Sequence, residues 1–285
     1  MKNKAAIAVI IGALLAGLSG LFIKSASLPP ASYAFFRTTV PAFLMAHWML
    51  SQGIRFLRGN YKLMLLGSAF NAARMYFFFM AYIMTSIGNA VLISYTWPIF
   101  ATLLSALILK EKVSRRNVFL LFLAFGGIIL VYINKPFSFE NDDFIGMSAA
   151  LASAALYACS IIIFKKEADG YTRNELLFYQ NLVSVFVFLP FVLLQDPPPS
   201  LTDIGISSAH GLILGTIGFA FFFYGLKYLP ASTASGLTYI EVVAALLLSI
   251  FWMKEELTLN MLAGGAIILI STSLLRSEKK EEVEN

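Results

Sequence analysis

The stretch 86–114, SIGNAVLISYTWPIFATLLSALILKEKVS, returns without a gap 144 residues later as 230–258, PASTASGLTYIEVVAALLLSIFWMKEELT. Ala90, Tyr95, Ala101, Leu103, Leu104, Ser105, Lys110 and Glu111 meet Ala234, Tyr239, Ala245, Leu247, Leu248, Ser249, Lys254 and Glu255. Ser94 meets Thr238, and Val113-Ser114 meets Leu257-Thr258. A weaker match sets the run ending Ile23-Lys24 against the run ending Phe164-Lys165. Self-similarity at a fixed separation marks a duplicated unit. Residues 5–134 and 144–276 are therefore expected to be two copies of one unit. An acidic loop holding Glu140, Asp142 and Asp143 joins them, and a charged tail follows over 277–285.

Composition says what kind of unit this is. The chain is 59% hydrophobic with 26 phenylalanines, where ordinary chains are about half apolar. Apolar runs recur at 5–23, 30–50, 62–83, 86–109, 117–133, 144–164, 175–194, 206–226, 231–252 and 260–276. Most reach the roughly 20 residues that cross a hydrocarbon core of about 30 Å. The expected fold is an all-α integral membrane protein of ten transmembrane helices. Five spans per copy is an odd number, so the second copy enters the membrane upside down. Such inverted repeats recur in transporters.

Charge placement supports the count. With the amino terminus on the cytoplasmic side, the cytoplasmic segments hold 16 basic residues and the opposite side holds Lys24, Lys135 and Lys254. Arg37 and Arg74 complete the 21. Cytoplasmic loops carry the excess of lysine and arginine, so both termini are expected in the cytoplasm of an inner-membrane protein. The net charge of +5 is thus a membrane signal, and no nucleic-acid partner is expected. No G-x-x-x-x-G-K-[ST] loop is present, which argues against ATP hydrolysis. Cys159 is the single cysteine, too few for an internal disulfide or a cysteine metal site, and no cofactor is expected. Lys2 and Lys4 before an apolar run also resemble a signal peptide, but the run is long for one and has its partner near Phe164-Lys165.

Three charges lie inside apolar runs: Arg37, Arg74 and Glu241. A charge at the bilayer centre costs about 2.5–3.5 kcal/mol on insertion scales and persists where it pairs or faces a polar cavity. Arg37 offers a flat fork of donors suited to a carboxylate, or it bonds backbone carbonyls. Arg74 shares a helix face with Asn71 and Phe78, either as a cavity stripe or as a clamp between helices. Glu241, flanked by Thr238 and Ala245, is a candidate for proton coupling, for binding a substrate ammonium, or for neutralising an arginine. Tyr95 and Trp97 stand beside Pro98, where a kink is expected, making a cavity wall or a packing contact. Ser153, Tyr157 and Ser160 form a stripe, and Gln180 and Asn181 lie mid-run; these bond solute or neighbouring helices. Trp48 and Trp252 fall at span ends, as interfacial anchors do. Small-residue series Gly12–Ala16–Gly20 and Gly211–Gly215, and the pairs Gly126-Gly127 and Gly264-Gly265, are expected to pack helices closely.

These motifs together resemble one family. Phe35-Phe36-Arg37, Arg74, Ala90 through Tyr95-Thr96-Trp97-Pro98, the turn Lys110-Glu111-Lys112-Val113-Ser114 with its copy Lys254-Glu255-Glu256-Leu257-Thr258, and Tyr228-Leu229-Pro230-Ala231-Ser232 are similar to EamA-type members of the drug/metabolite transporter superfamily. The resemblance spans nearly the whole chain. It implies ten helices around a central cavity, alternating access, and frequently export of amino acids or other small metabolites. The ninth span commonly carries a proline where this chain has Val242, which puts a flexing point there in doubt.

The reading is a secondary carrier for a small amphipathic metabolite such as an amino acid, working as a monomer or homodimer in the bilayer. Its candidate substrate residues are Arg37, Arg74, Trp97, Tyr95, Glu241, Tyr157, Gln180 and Asn71, with Glu241 the candidate for a coupling proton. Alternatives are an uptake carrier, a channel, or an intramembrane serine protease built on Gly17-Leu18-Ser19-Gly20 with His210 as base.

Overall fold

The computed structural model of the chain describes residues 2–85, 87–133, 141–253 and 258–276. Lys135 and Glu140 of the joining loop, the second turn from Lys254 to Leu257, the tail 277–285 and the side chain of Trp252 lie outside the described residues.

All the described elements are helical: α1 (Lys2–Ala16), α2 (Ser19–Lys24), α3 (Pro30–Ser51), α4 (Tyr61–Met84), α5 (Ile87–Ser94), α6 (Trp97–Ile108), α7 (Arg115–Tyr132) and α8 (Asn141–Glu167). There follow α9 (Arg173–Leu193), α10 (Leu201–His210), a π-helical segment Gly211–Gly218, α11 (Phe219–Tyr228), α12 (Ala231–Leu237), α13 (Ile240–Met253) and α14 (Leu259–Arg276). Among the described residues, eight stretches are long and apolar enough to cross a membrane: Lys2–Ile23, Tyr61–Ala81, Ala90–Ile108, Arg115–Tyr132, Asp142–Glu167, Arg173–Leu193, Leu201–Tyr228 and Ala231–Leu248. The other two expected runs are helices as well. One is α3, 22 residues long and diluted by Arg37, Thr38, Thr39 and His47; the other is α14, 18 residues long. Large apolar side chains such as Phe43, Leu107, Phe119 and Phe186 point outward, each more than half exposed.

Local chemistry sets the helix ends. Ser114 accepts a hydrogen bond from the Asn117 amide at 3.1 Å, and Thr258, its counterpart in the repeat, accepts one from Met261 at 3.3 Å. Both are N-caps satisfying an amide that the helix leaves free. Asp142 and Asp143, expected in a loop, form the first turn of α8. Carboxylates there suit the positive end of the helix, and Asp143 also accepts from the Thr85 hydroxyl at 2.7 Å.

Two long helices break at matching places. The fourth run divides between Ser94 and Trp97 and the ninth between Leu237 and Ile240. Pro98 sits in the first turn of α6, where its missing N–H costs nothing. The ninth run breaks without a proline. Thr238, Tyr239, Glu241 and Val242 bond carbonyls three residues back, a tighter winding than the α-helix, and the Thr238 hydroxyl takes the Ser235 carbonyl at 2.6 Å. The first run also breaks, at Gly17-Leu18. A Cβ on Gly17 would lie 2.5 Å from the Ala244 Cβ and 3.1 Å from the Glu241 carbonyl oxygen, so the break in the first run rests on α13 beside Glu241.

The principal helix pairs are α4 with α8, α3 with α9, α7 with α14 and α1 with α11. Their seams differ in chemistry. Where α4 meets α8 and α9, the Ser153 hydroxyl donates to the Arg74 carbonyl at 2.9 Å and Ser160 to the Gly67 carbonyl at 2.8 Å. Asn71 donates to the Gln180 carbonyl at 2.9 Å, and the Val183 amide donates to Ser68 at 3.0 Å. Where α1 meets the π segment and α11, glycines do the work: a Cβ on Gly12 would come within 2.7 Å of the Gly218 carbonyl oxygen, and one on Gly225 within 2.9 Å of that of Ala5. Gly211 and Gly215 rest on Arg37 and Pro41 of α3. Gly127 and Gly264 face each other, but Gly20 and Gly126 have no neighbouring atom within 4 Å of where a side chain would begin. The packing expectation therefore fails at those two glycines, which face open space.

Candidate functional site

The helix breaks and the central helices converge on one cluster. α3 brings Arg37, α4 brings Arg74, α8 brings Tyr157, and the two broken helices bring Tyr95, Trp97 and Glu241. Arg37, Arg74, Tyr157 and Glu241 lie within electrostatic reach of one another. All four keep partial exposure although protein surrounds them, and two of them, Tyr157 and Glu241, line a cavity.

Each charge has a distinct setting. The Arg74 guanidinium lies over the Tyr157 ring, 4.3 Å from its centroid, and 5.7 Å from that of Phe78. Its buried Nε has no hydrogen-bond partner. Glu241 is hydrogen-bonded to the Tyr95 hydroxyl. The one ion pair among the described residues joins Arg58 and Glu175, so Arg37, Arg74 and Glu241 form no direct pair with one another. A desolvated charge without a pair is held at a cost, and a bound counter-charge relieves it.

Beside Glu241 is a cavity of about 70 Å³, space for a few waters. Trp97, Tyr157, Thr238 and Glu241 form its polar and aromatic wall. Trp97 packs on Tyr157 at 4.6 Å between centroids and on Phe222 at 6.4 Å. Gly12, Ala13 and Ala16 of α1 close one side, and Leu214, Gly218, Phe219 and Phe222 close the other. From the sequence the small residues of α1 are expected only to pack helices. Gly12 does both jobs, and only the fold reveals the second.

Other expected candidates lie elsewhere. Asn71 and Gln180 are buried in the seam between α4 and α9, each with its side-chain oxygen unpartnered. Ser153 and Ser160 are committed to backbone carbonyls of α4. Asn181 donates to Leu177 in its own helix at 2.8 Å. The Ser19 hydroxyl donates to the Ala16 carbonyl at 2.6 Å, while His210 shares its Nδ1 with the Tyr33 hydroxyl at 2.6 Å. A serine–histidine dyad is therefore not assembled. His210 stacks on Phe22 with 5.2 Å between centroids and is buried where its helix runs on into the π segment.

At the start of α9 is a second charged cluster. Arg58 donates to both Glu175 carboxylate oxygens, at 2.5 and 2.6 Å. The Thr172 amide and hydroxyl donate to the same carboxylate at 2.9 and 2.8 Å. Tyr171 donates to the Arg58 carbonyl at 2.7 Å, its ring lies 5.1 Å beneath the guanidinium, and Tyr179 donates to the Phe56 carbonyl. The hydrogen bond to Glu175 holds the Arg58 guanidinium above its ordinary pKa. The segment between α3 and α4 is thereby fastened to the start of α9.

Comparison with known proteins places this arrangement. Residues 3–133 and 144–277 each match the profile of the EamA-like transporter family. The pseudopaline exporter CntI of Pseudomonas aeruginosa is 25% identical over 90% of this chain and 89% of its own. Solute carrier family 35 member G1 of Mus musculus is 21% identical over 93% of this chain and 76% of its own. The S-adenosylmethionine uptake transporter of Rickettsia prowazekii is 26% identical over 68% of this chain and 65% of its own. A crystal structure at 18% identity superposes with a TM-score of 0.85 over 97% of this chain and 99% of that one, a likeness of fold.

Proposed function

The chain belongs to the EamA-like transporter family, within the drug/metabolite transporter superfamily, and we propose that it is a secondary carrier exporting a small zwitterionic metabolite such as an amino acid. It is a multi-pass membrane transporter rather than an enzyme. The reading is of ten spans in two inverted repeats, with both termini in the cytoplasm of the inner membrane.

The helix pairing supports the inverted repeat. Exchanging each span for its counterpart five places on turns α4 with α8 into α11 with α1, and leaves α3 with α9 and α7 with α14 as they are. A contact pattern unchanged by that exchange is what a two-fold axis between the halves produces.

The observation that carries the solute reading is the unpaired charge cluster. Arg37 and Arg74 come from the first repeat and Glu241 from the second; Glu241 lines a cavity walled by Trp97 and Tyr157, and both arginines lie within electrostatic reach of that carboxylate. Arginines facing a carboxylate and Glu241 facing an ammonium complement a zwitterion, and its aliphatic part packs on the rings. With Tyr95 holding Glu241, the acid is also placed to exchange a proton for coupling. A cavity of about 70 Å³ is smaller than such a solute, so the two halves separate to admit it. The relatives named for pseudopaline export and for S-adenosylmethionine uptake support small-molecule transport. Export follows the better-covered of the two.

The test is a thermal-shift screen of the purified protein against amino acids and related metabolites, because a ligand that binds the native state raises its apparent stability. The solute found is then followed in proteoliposomes. Arg74→Gln and Glu241→Gln are expected to abolish saturable flux while inserting and purifying normally. Unsaturable flux insensitive to counter-solute would instead describe a channel, and variants that fail to fold would make the charges structural.

A further inference from the structure

Away from the cavity, a groove of about 420 Å³ opens where the end of α3, the start of α9 and the end of α11 meet. Its size falls within the roughly 300–1,000 Å³ that small-molecule sites occupy. Trp48, Tyr224 and Tyr228 supply an aromatic wall, and Arg173, Asn174 and Lys227 supply polar groups. Tyr224 and Tyr228 are themselves stacked edge to face, 5.1 Å between centroids, so that wall is ordered from within.

The charge in the groove is uncompensated. Neither Arg173 nor Lys227 forms an ion pair with a described residue. No aspartate or glutamate lines the groove, and two acids close in sequence to its lining are engaged elsewhere. Glu175 is bound by Arg58 and Thr172, and Glu167 accepts from Asn60 at 3.1 Å. Lys165 is occupied as well, donating to the Leu226 and Leu229 carbonyls at 2.6 and 2.7 Å. Two free cations therefore face a space with no protein anion to meet them.

The place in the fold identifies the occupant. The groove lies at helix ends, where tryptophan and tyrosine sit at headgroup level. Basic pockets between helices on the cytoplasmic side take anionic lipid headgroups. We infer that this groove binds the headgroup of an anionic phospholipid, with Arg173 and Lys227 on the phosphate, Asn174 on a headgroup hydroxyl and the aromatic wall against the glycerol backbone. The assignment rests on the cytoplasmic orientation proposed above. Tyr171 lines the groove and also lies under Arg58, so the headgroup would sit directly against the fastening of α9.

The test is native mass spectrometry of the full chain in detergent with equimolar phosphatidylglycerol and phosphatidylcholine. Phosphatidylglycerol should be retained preferentially, and Arg173→Gln/Lys227→Gln should reduce that preference by roughly tenfold or more, the scale two basic contacts supply. Arg115→Gln/Arg116→Gln, a basic pair at another helix start, should leave it unchanged. Equal retention of both lipids, or a loss confined to the Arg115/Arg116 variant, overturns the site. Displacement of phosphatidylglycerol by excess inorganic phosphate overturns the lipid in favour of a soluble anion. These readouts need no transport and no orientation. A failed orientation shows separately, as labelling of Arg173→Cys from outside the cell.

Discussion

The hydroxyl of Tyr239 donates to the backbone carbonyl of Tyr95, its counterpart 144 residues earlier, at 3.1 Å, with the rings 6.3 Å apart and inclined at 54°. The two aligned tyrosines thus touch where both helices break. They have also parted in role. The Tyr239 hydroxyl ties break to break, whereas the Tyr95 hydroxyl holds Glu241.

Removing each hydroxyl should separate those roles. Tyr239→Phe is expected to cost about 1 kcal/mol, the usual worth of one hydrogen bond, in chemical denaturation of the detergent-solubilised protein, with flux largely kept. Tyr95→Phe should cost a similar amount and reduce flux severalfold in proteoliposomes. Equal flux in the two variants would sink the positioning role of Tyr95.

Glycine substitutions test which small residues are in contact. Gly12→Val drives a side chain into the Gly218 carbonyl, so a loss of roughly 1–3 kcal/mol typical of overpacking is expected. Gly20→Ala enters open space and should leave the melting temperature unchanged or slightly raised. Thermal unfolding of both variants beside the wild type decides it.

Arg58→Gln leaves the Glu175 carboxylate buried with only Thr172 to bond it. Breaking a fully buried pair costs roughly 3–5 kcal/mol. Here the Arg58 side chain is 39% exposed and the Thr172 bonds remain, so about 2 kcal/mol is expected. Adding Glu175→Gln should recover part of the loss. A double-mutant cycle in denaturant, with coupling near zero, would show the fastening to be ornamental.

Ser153→Ala and Ser160→Ala each delete one hydrogen bond to α4. Interhelical hydrogen bonds in membranes average about 0.6 kcal/mol, so each should lower stability by about that much. Neither should alter the concentration dependence of flux. A changed apparent affinity for solute in either variant would return these serines to the binding site.

The helices and the three charges held inside them were legible because each is a property of one segment. What neighbours decide was not legible. Ser153, Tyr157 and Ser160 share a helical face, yet the sequence does not say that the serines meet α4 carbonyls while Tyr157 meets Arg74 and Trp97. Val242 in place of proline argued against a flexing point, but tight winding at Thr238-Tyr239 and the crossing of Gly17 break that helix anyway. Likewise the π segment at Gly211–Gly218 has no local signal beyond its glycines, and where it rests on Arg37 and Pro41 is decided by α3.

The unequal seams have one more consequence. A directional hydrogen bond fixes how far one helix lies along another, whereas two glycine surfaces fix only their separation. The seam of Ser153, Ser160 and Asn71 against its neighbours is thus a keyed joint, and the seam of Gly12, Gly218 and Gly225 is a plain bearing. Two seams between the same two halves carry unlike mechanical parts, and axial slip, wherever it occurs, belongs to the seam without teeth.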